Sequence, residues 1–241
     1  AVDNISLTLQ KGKTLGIVGE SGSGKSTLGR IMLRLIEPTS GEITFNNQDL
    51  MQVKPKELRN LRSKMQMIFQ DPMASLDPRM SVRELIKEPL DIHNIGSKQE
   101  RNKAVEEIAE KVGIAKSALE KFPHEFSGGQ RQRISIARAV INKPDLIVAD
   151  EPVSALDVSI QAQILNLLKE LRNEMNLSFI FISHDLSVVK YFCDEVAVMY
   201  LGNIVEYAPT TELFAAPKHP YTQALISAIP QIDEETKTNR I

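Results

Sequence analysis

From Val2 to Leu9, apolar and polar residues alternate, the period-two pattern of a half-buried strand. Leu15-Gly16-Ile17-Val18 is a short apolar run that enters a glycine-rich turn. Apolar residues then recur at helical spacing from Leu28 to Ile36, and Pro38 stops the pattern. Gly41 to Phe45 reads as a strand after a turn, and Met65 to Phe69 as another apolar run. From about Ser81 to Ala118 the period changes. Val82, Leu85 and Ile86, then Ala104, Val105, Ile108 and Val112, predict two helices parted by Gly96 and Ser97. This is the pattern of a helical lobe inserted between strands. Ile134 to Ile141 continues helical and ends at Asn142-Lys143-Pro144. Beyond it the spacing predicts a strand over Leu146–Ala149, a helix over Ser159–Arg172, a strand over Ser178–Ile182 and a helix near Leu186–Phe192. Final strands are expected at Val196–Tyr200 and Ile204–Tyr207, with short helical stretches around Glu212 and Tyr221. Strand and helix in alternation imply a sheet with covered faces.

Composition narrows this picture. Of 241 residues, 42% are hydrophobic and 25% charged, ordinary for a globular chain. A net charge of -2 argues against a broad basic surface for nucleic acid. The longest apolar runs, such as Leu146-Ile147-Val148-Ala149, fall far short of the roughly 20 residues a membrane span needs. The opening Ala1-Val2-Asp3-Asn4 lacks the features of a signal peptide. A lone Cys193 can form neither an internal disulfide nor a multi-cysteine metal site, and is expected to be a buried small hydrophobe. Cytosolic residence is the simple expectation.

The chemistry lies at the strand ends. Gly19-Glu20-Ser21-Gly22-Ser23-Gly24-Lys25-Ser26 fits G-x-x-x-x-G-K-[ST], with a strand before it and a helix after it. Average residue usage supplies this pattern by chance in roughly one chain of this length per hundred. The glycines let backbone amides converge on phosphate oxygens, and the following helix adds its positive end. Lys25 can reach the β- and γ-phosphates, and the Ser26 hydroxyl can ligate Mg²⁺. Asp150 and Glu151 close the strand Leu146–Ala149. Taken alone, two acids after a strand more often open a helix. Beside a phosphate cradle, Asp150 is placed to hold Mg²⁺ and Glu151 to polarise an attacking water. His184 follows the strand Ser178–Ile182 and is a candidate γ-phosphate contact. Gln70 follows Met67-Ile68-Phe69 and can offer its amide oxygen to the metal and the water. Phe126-Ser127-Gly128-Gly129-Gln130 precedes a helix, so Ser127 is either a plain N-cap or part of a second anion site. If both phosphate sites serve one nucleotide, either the helical lobe folds over the cradle or two chains lie head to tail.

The set Gly19 to Ser26, Gln70, Ser127-Gly128-Gly129-Gln130, Asp150-Glu151, Ser154-Ala155-Leu156-Asp157 and His184 resembles the nucleotide-binding subunits of ABC transporters, in that family's order and over nearly the whole chain. The resemblance implies an α/β fold: a P-loop NTPase (RecA-like) core with a mostly parallel sheet, an N-terminal antiparallel β part and an inserted α-helical lobe. It implies one ATP-binding domain over 1–241, with the signature lobe at 73–143 and a carboxy-terminal extension at 206–241. ATP and Mg²⁺ are the implied cofactors. The implied ATP contacts are Gly19, Glu20, Ser21, Gly22, Ser23, Gly24, Lys25, Ser26 and Thr27 on one protomer. Ser127, Gly128, Gly129, Gln130 and Asp157 are supplied across the head-to-tail pair. The implied metal ligands are Ser26, Gln70 and Asp150, and the implied catalytic residues Glu151, His184 and Gln70. The implied partners are a second ATPase subunit, the same or related, two transmembrane permease subunits and, indirectly, a solute-binding protein. That places the chain on the cytoplasmic side of the membrane, with no nucleic acid. Gln70 to Ser127 leaves no room for the coiled coil of DNA-acting relatives, and a single motif set does not match ribosome-acting ones. Intact Glu151 and His184 argue against a switch that barely hydrolyses.

Within the family the chain is most similar to oligopeptide and dipeptide importer ATPases, through Gln70 to Met80 and His219-Pro220-Tyr221-Thr222-Gln223-Ala224-Leu225. Relatives handling nickel or glutathione look alike in these segments. Phe126 stands where Leu is commoner, and the cysteines of an iron–sulfur cluster found in some relatives are lacking. The family stacks an aromatic on adenine from a loop before the strand expected at Val2, whereas the first aromatic here is Phe45. A sequence truncated at its N-terminus, without that platform and an edge strand, is therefore expected, with weaker ATP binding than in a longer subunit.

Overall fold

The structure, a computed structural model, describes residues 2–229. Of the expected extension at 206–241, residues 230–241 lie outside the described residues. In chain order the elements are β1 (Thr14–Val18), α1 (Lys25–Met32), β2 (Thr44–Phe45), β3 (Gln48–Asp49), α2 (Pro55–Leu61), β4 (Met65–Ile68), α3 (Pro72–Ser75), α4 (Val82–Ile92), α5 (Lys98–Lys111) and α6 (Gly128–Val140). They continue as β5 (Leu146–Asp150), α7 (Val158–Met175), β6 (Ser178–Ser183), α8 (Leu186–Phe192), β7 (Glu195–Tyr200), β8 (Asn203–Pro209), α9 (Thr210–Ala215) and α10 (Pro220–Ser227).

One six-stranded sheet runs in the order β4-β5-β6-β1-β7-β8, all parallel except β8. Alternate residues of each central strand feed opposite cores. Phe179 and Phe181 of β6 join the cluster built with α6, α7 and α8, while Ile180 and Ile182 join the cluster under α1. Ile147 and Ala149 likewise face the first cluster and Val148 the second. This two-sided burial explains why these strands read as unbroken apolar runs rather than as alternation. Phe192 closes the first cluster, edge-on to Phe179 at 5.4 Å, and Cys193 is buried beside it. The helices between β4 and β5 begin on side-chain caps. Ser81 with Glu84 and Ser97 with Glu100 form reciprocal boxes that satisfy the first amides of α4 and α5. Arg138 of α6 ties this group together, donating to the Ser75 carbonyl at 2.8 Å and to Glu88 at 2.6 Å.

Three sequence expectations change. Val2–Leu9 keeps its alternation, with Ile5, Leu7 and Leu9 half-buried, but joins no ladder. Apolar periodicity supplies only the buried face of a strand. The pairing also needs a neighbour's backbone, and one amide of this segment, that of Asp3, reaches Gly202 O at 2.8 Å. The antiparallel part expected near the N-terminus is, among the described residues, the pair β2–β3, separate from the antiparallel pair β7–β8, and the strand expected over Gly41–Phe45 shrinks to Thr44–Phe45. Helix α1 ends at Met32 rather than Ile36 because Arg34 turns left-handed, φ 49°. Its guanidinium is drawn to the carbonyls of Leu50 and Val53.

Candidate functional site

The loop from β1 into α1 is bent around residues without side chains. A Cβ on Gly19, whose φ is 152°, would lie 2.1 Å from the Met199 carbonyl oxygen, so only glycine fits there. Gly24 precedes α1 at φ 104°, and α1 points its amino end into the loop. Lys25 is 5% exposed, and its ammonium is held by neutral acceptors. It donates to Gly19 O at 2.8 Å, Glu20 O at 2.7 Å and Ser23 Oγ at 3.5 Å. Burial lowers its pKa, and the nearby Glu151 and Asp150 charges partly oppose this. A buried cation resting on carbonyls, at a helix amino end, is a seat for an anion.

Sheet order brings the distant strand ends together. Strands β4, β5 and β6 are parallel neighbours, so Gln70, Asp150-Glu151 and His184 emerge on the same edge, beside the end of β1. Ser26 Oγ donates to Asp150 Oδ1 at 2.8 Å. Asp150 is 2% exposed, and burial raises its pKa against the opposing pull of the Ser26 hydrogen bond. Glu151 adopts a left-handed backbone, φ 46°, a conformation costing roughly 1–3 kcal/mol for a residue with a side chain. Its amide donates to Ile182 O at 3.0 Å, and Ser154 Oγ donates to its carbonyl at 3.1 Å. Two side chains hold its carboxylate: Gln70 Nε2 donates to Oε2 at 2.9 Å, and His184 Nδ1 lies 3.2 Å from Oε1. A cavity of about 610 Å³ is lined by Gly19 to Gly22, Gly24 to Thr27, Gln70, Glu151, His184 and Leu225. Ser23 is buried behind the loop, and Asp150 connects to it through Ser26.

The second anion motif sits elsewhere. Ser127 is a true N-cap of α6: Oγ accepts from Gln130 N at 3.3 Å, and Gln130 Oε1 accepts from Ser127 N at 3.0 Å. A Cβ on Gly129 would approach Ile160 Cγ2 to 2.6 Å, so this glycine lets α6 lie against α7. Ser127, Gly128, Gln130 and Asp157 are exposed, and neither they nor Gly129 line the phosphate cavity. Gly128 instead borders a smaller space of about 180 Å³ with Gln70, Pro152 and Leu156. Within one chain the structure therefore gathers the loop, Gln70, Asp150, Glu151 and His184, and leaves the serine–diglycine turn apart. Sequence reasoning overlooked Tyr221 and Leu225 as neighbours of the site. Leu225 lines the cavity and Tyr221 Oη accepts the Glu20 amide at 3.0 Å. The signal was present in the run His219 to Leu225, read there only as a subfamily marker.

Hard oxygen donors and a phosphate cradle on one edge of a parallel sheet define a P-loop nucleoside triphosphatase. Residues 2–154 match the ABC transporter family, and residues 205–241 match the oligopeptide/dipeptide transporter C-terminal region. The chain belongs to the ABC transporter family and is an ATP-binding ATPase of it. It is 57% identical over 231 residues to the oligopeptide transport ATP-binding protein AppF of Bacillus subtilis (strain 168), covering 95% of this chain and 70% of that protein. Among solved structures, the dimeric post-hydrolysis form of the ATP-binding cassette MJ0796 with ADP and Pi is similar at TM-score 0.79 and 32% identity, covering 87% of this chain and 90% of that one. The cbiO1 structure from Clostridium perfringens, part of the ABC transporter complex cbiONQ, is similar at TM-score 0.81 and 30% identity, covering 90% and 84%. Among the described residues, no helix is long and apolar enough to cross a membrane.

Proposed function

We propose that this chain is the ATP-hydrolysing subunit of a membrane importer for oligopeptides or dipeptides, acting as one half of a head-to-tail pair. The observation that carries the catalytic part is the double grip on Glu151 by Gln70 and His184 beside the Ser26–Asp150 pair. In this reading the loop amides of Gly19 to Thr27 bind the phosphates, and Lys25 exchanges its carbonyl partners for the β- and γ-phosphate oxygens. Ser26, Asp150 and the Gln70 amide oxygen would hold Mg²⁺. These are few and hard, and the donor set suits an ion that completes its shell with water and phosphate oxygens. Bound there, Mg²⁺ would neutralise charge between the phosphates. Glu151 orients the attacking water and accepts its proton, and His184 meets the γ-phosphate.

The exposed Ser127-Gly128 turn and Asp157, set apart from the chain's own cavity, support a site completed by a second subunit, the same or related. Ser127 to Gln130 would then close on the partner's ATP, and Asp157 would cross beside the opposite loop. Closure would pass through Gln70 and the helical lobe to two transmembrane permease subunits, which a solute-binding protein supplies. This holds the chain at the cytoplasmic face of the membrane. Peptide as the cargo is supported by the name of the AppF relative and by the match at residues 205–241.

Glu151→Gln keeps both grips available and removes the base. Hydrolysis is expected to fall by about 10²–10⁴-fold, while ATP still binds and ATP-dependent dimers accumulate on size-exclusion chromatography. Hydrolysis at the wild-type rate would refute the role given to Glu151. ATP-loaded chains that stay monomeric would refute the split site.

A further inference from the structure

The run His219 to Leu225 touches the phosphate loop through Tyr221 and the cavity through Leu225. We propose that it forms part of the nucleotide site, with Tyr221 as a positioning residue for the phosphate loop. The proposal rests on the ATP reading of that loop. Both backbone polar groups of Glu20 are engaged. Its N–H donates to Tyr221 Oη at 3.0 Å, and its carbonyl accepts Lys25 Nζ at 2.7 Å. Tyr221 thus holds the loop backbone at Glu20, part of the cavity lining, in place even when Lys25 turns from the Glu20 carbonyl to the phosphates. From the other side, the β7–β8 turn supports the same loop. Gly202 N donates to Ser23 O at 3.0 Å, and the Met199 carbonyl fills the space a side chain on Gly19 would need.

The helix carrying Tyr221 is anchored independently of the loop. Glu206 on β8 accepts the amides of Lys218 at 2.8 Å and His219 at 2.9 Å. His219 Nδ1 caps α10 by accepting Tyr221 N at 3.2 Å, and Pro220 starts the helix. Gln223 Nε2 donates to Pro217 O at 2.9 Å. The Tyr221 ring packs on Tyr200 with centroids 4.5 Å apart. A hydroxyl mounted on so many fixed points is a stiff peg. Leu225, one turn further along α10, lines the cavity of about 610 Å³, so α10 forms part of its wall.

The test compares single substitutions in the full chain. Tyr221→Phe keeps the ring on Tyr200 and removes only the oxygen that orders Glu20. Losing one neutral hydrogen bond of this kind predicts roughly five-fold weaker ATP binding by calorimetric titration and a matching rise in KM. An interaction made equally in the ground and transition states leaves kcat unchanged. The nucleotide-free protein loses the same bond, so its melting temperature should fall slightly, as in any loss of one neutral hydrogen bond, and the ATP affinity is the readout that a merely structural tyrosine would not move. Tyr207→Phe removes a comparable hydroxyl, bonded to Glu195 at 2.6 Å at the far end of the same hairpin, and should leave ATP affinity intact. Wild-type affinity in Tyr221→Phe, or an equal loss in Tyr207→Phe, overturns the proposal. Lys25→Ala separates this from the underlying reading. If it binds ATP as tightly as wild type, the loop is not the phosphate seat and both ideas fall. If it loses ATP while Tyr221→Phe does not, only the positioning role falls.

Discussion

The two glycines that open α6 make a paired experiment. At both positions the backbone is compatible with alanine, since neither residue has a positive φ. Gly128→Ala places its Cβ 3.5 Å from Leu156 Cδ2, an ordinary contact. Gly129→Ala places its Cβ 2.6 Å from Ile160 Cγ2, well inside contact distance. Ile160 lies in the first turn of α7, where a β-branched side chain has essentially one χ1 rotamer, so the methyl cannot swing aside. Replacing glycine by alanine at a compatible site stabilises by about 0.4–1 kcal/mol through the unfolded chain. Overpacking costs about 1–3 kcal/mol. Gly128→Ala should therefore be neutral or slightly stabilising, and Gly129→Ala destabilising by about 1 kcal/mol. For a chain of this size that lowers Tm by roughly 2–4 °C. Ile160→Leu moves the branch away from Cβ and should restore the stability of Gly129→Ala. Calorimetric melts of the two single variants and the double variant provide the assay, with ATP turnover measured alongside. Under the split-site reading, Gly128→Ala keeps its fold and loses turnover, because a methyl is added to the exposed turn on which the partner's phosphates would have to close. Equal Tm for the two single variants, or no rescue by Ile160→Leu, would refute the packing argument.

Two further outcomes follow from burial. The Asp150 carboxyl is held above its ordinary pKa by burial, despite the Ser26 hydrogen bond, so the native state binds this proton more tightly than the unfolded chain. Its contribution to stability then falls as pH rises from the ordinary carboxylate value through the raised one. Urea melts across that window should show nucleotide-free Asp150→Asn gaining on wild type as pH rises, and a constant gap would contradict the assignment. Burial also pushes the Cys193 thiol up and out of reach. A thiol reagent at neutral pH should modify the native protein only at the rate of unfolding, and rapid native labelling would show that the packing around Phe192 is looser than described.

Residue order alone carried the local features of this protein. The G-x-x-x-x-G-K-[ST] run, the acids after Ala149 and the helical spacing of Val82 to Val112 depend on residues within a few positions of each other, and periodicity and side-chain chemistry read them directly. The β-ladder did not follow from the alternation of Val2 to Leu9, because pairing depends on a neighbour that lies elsewhere in the chain. Nor did spacing reveal that Gln70 and His184 would both close on Glu151. That depends on the order β4-β5-β6-β1, which sets residues far apart in sequence at adjacent strand ends. The same holds for Gly129, whose need for a bare Cα comes from Ile160, and for Tyr221, whose hydroxyl meets an amide about two hundred residues earlier. Hydrogen bonds and close packing act over a few ångströms of space, and only the folded chain decides which residues share that space.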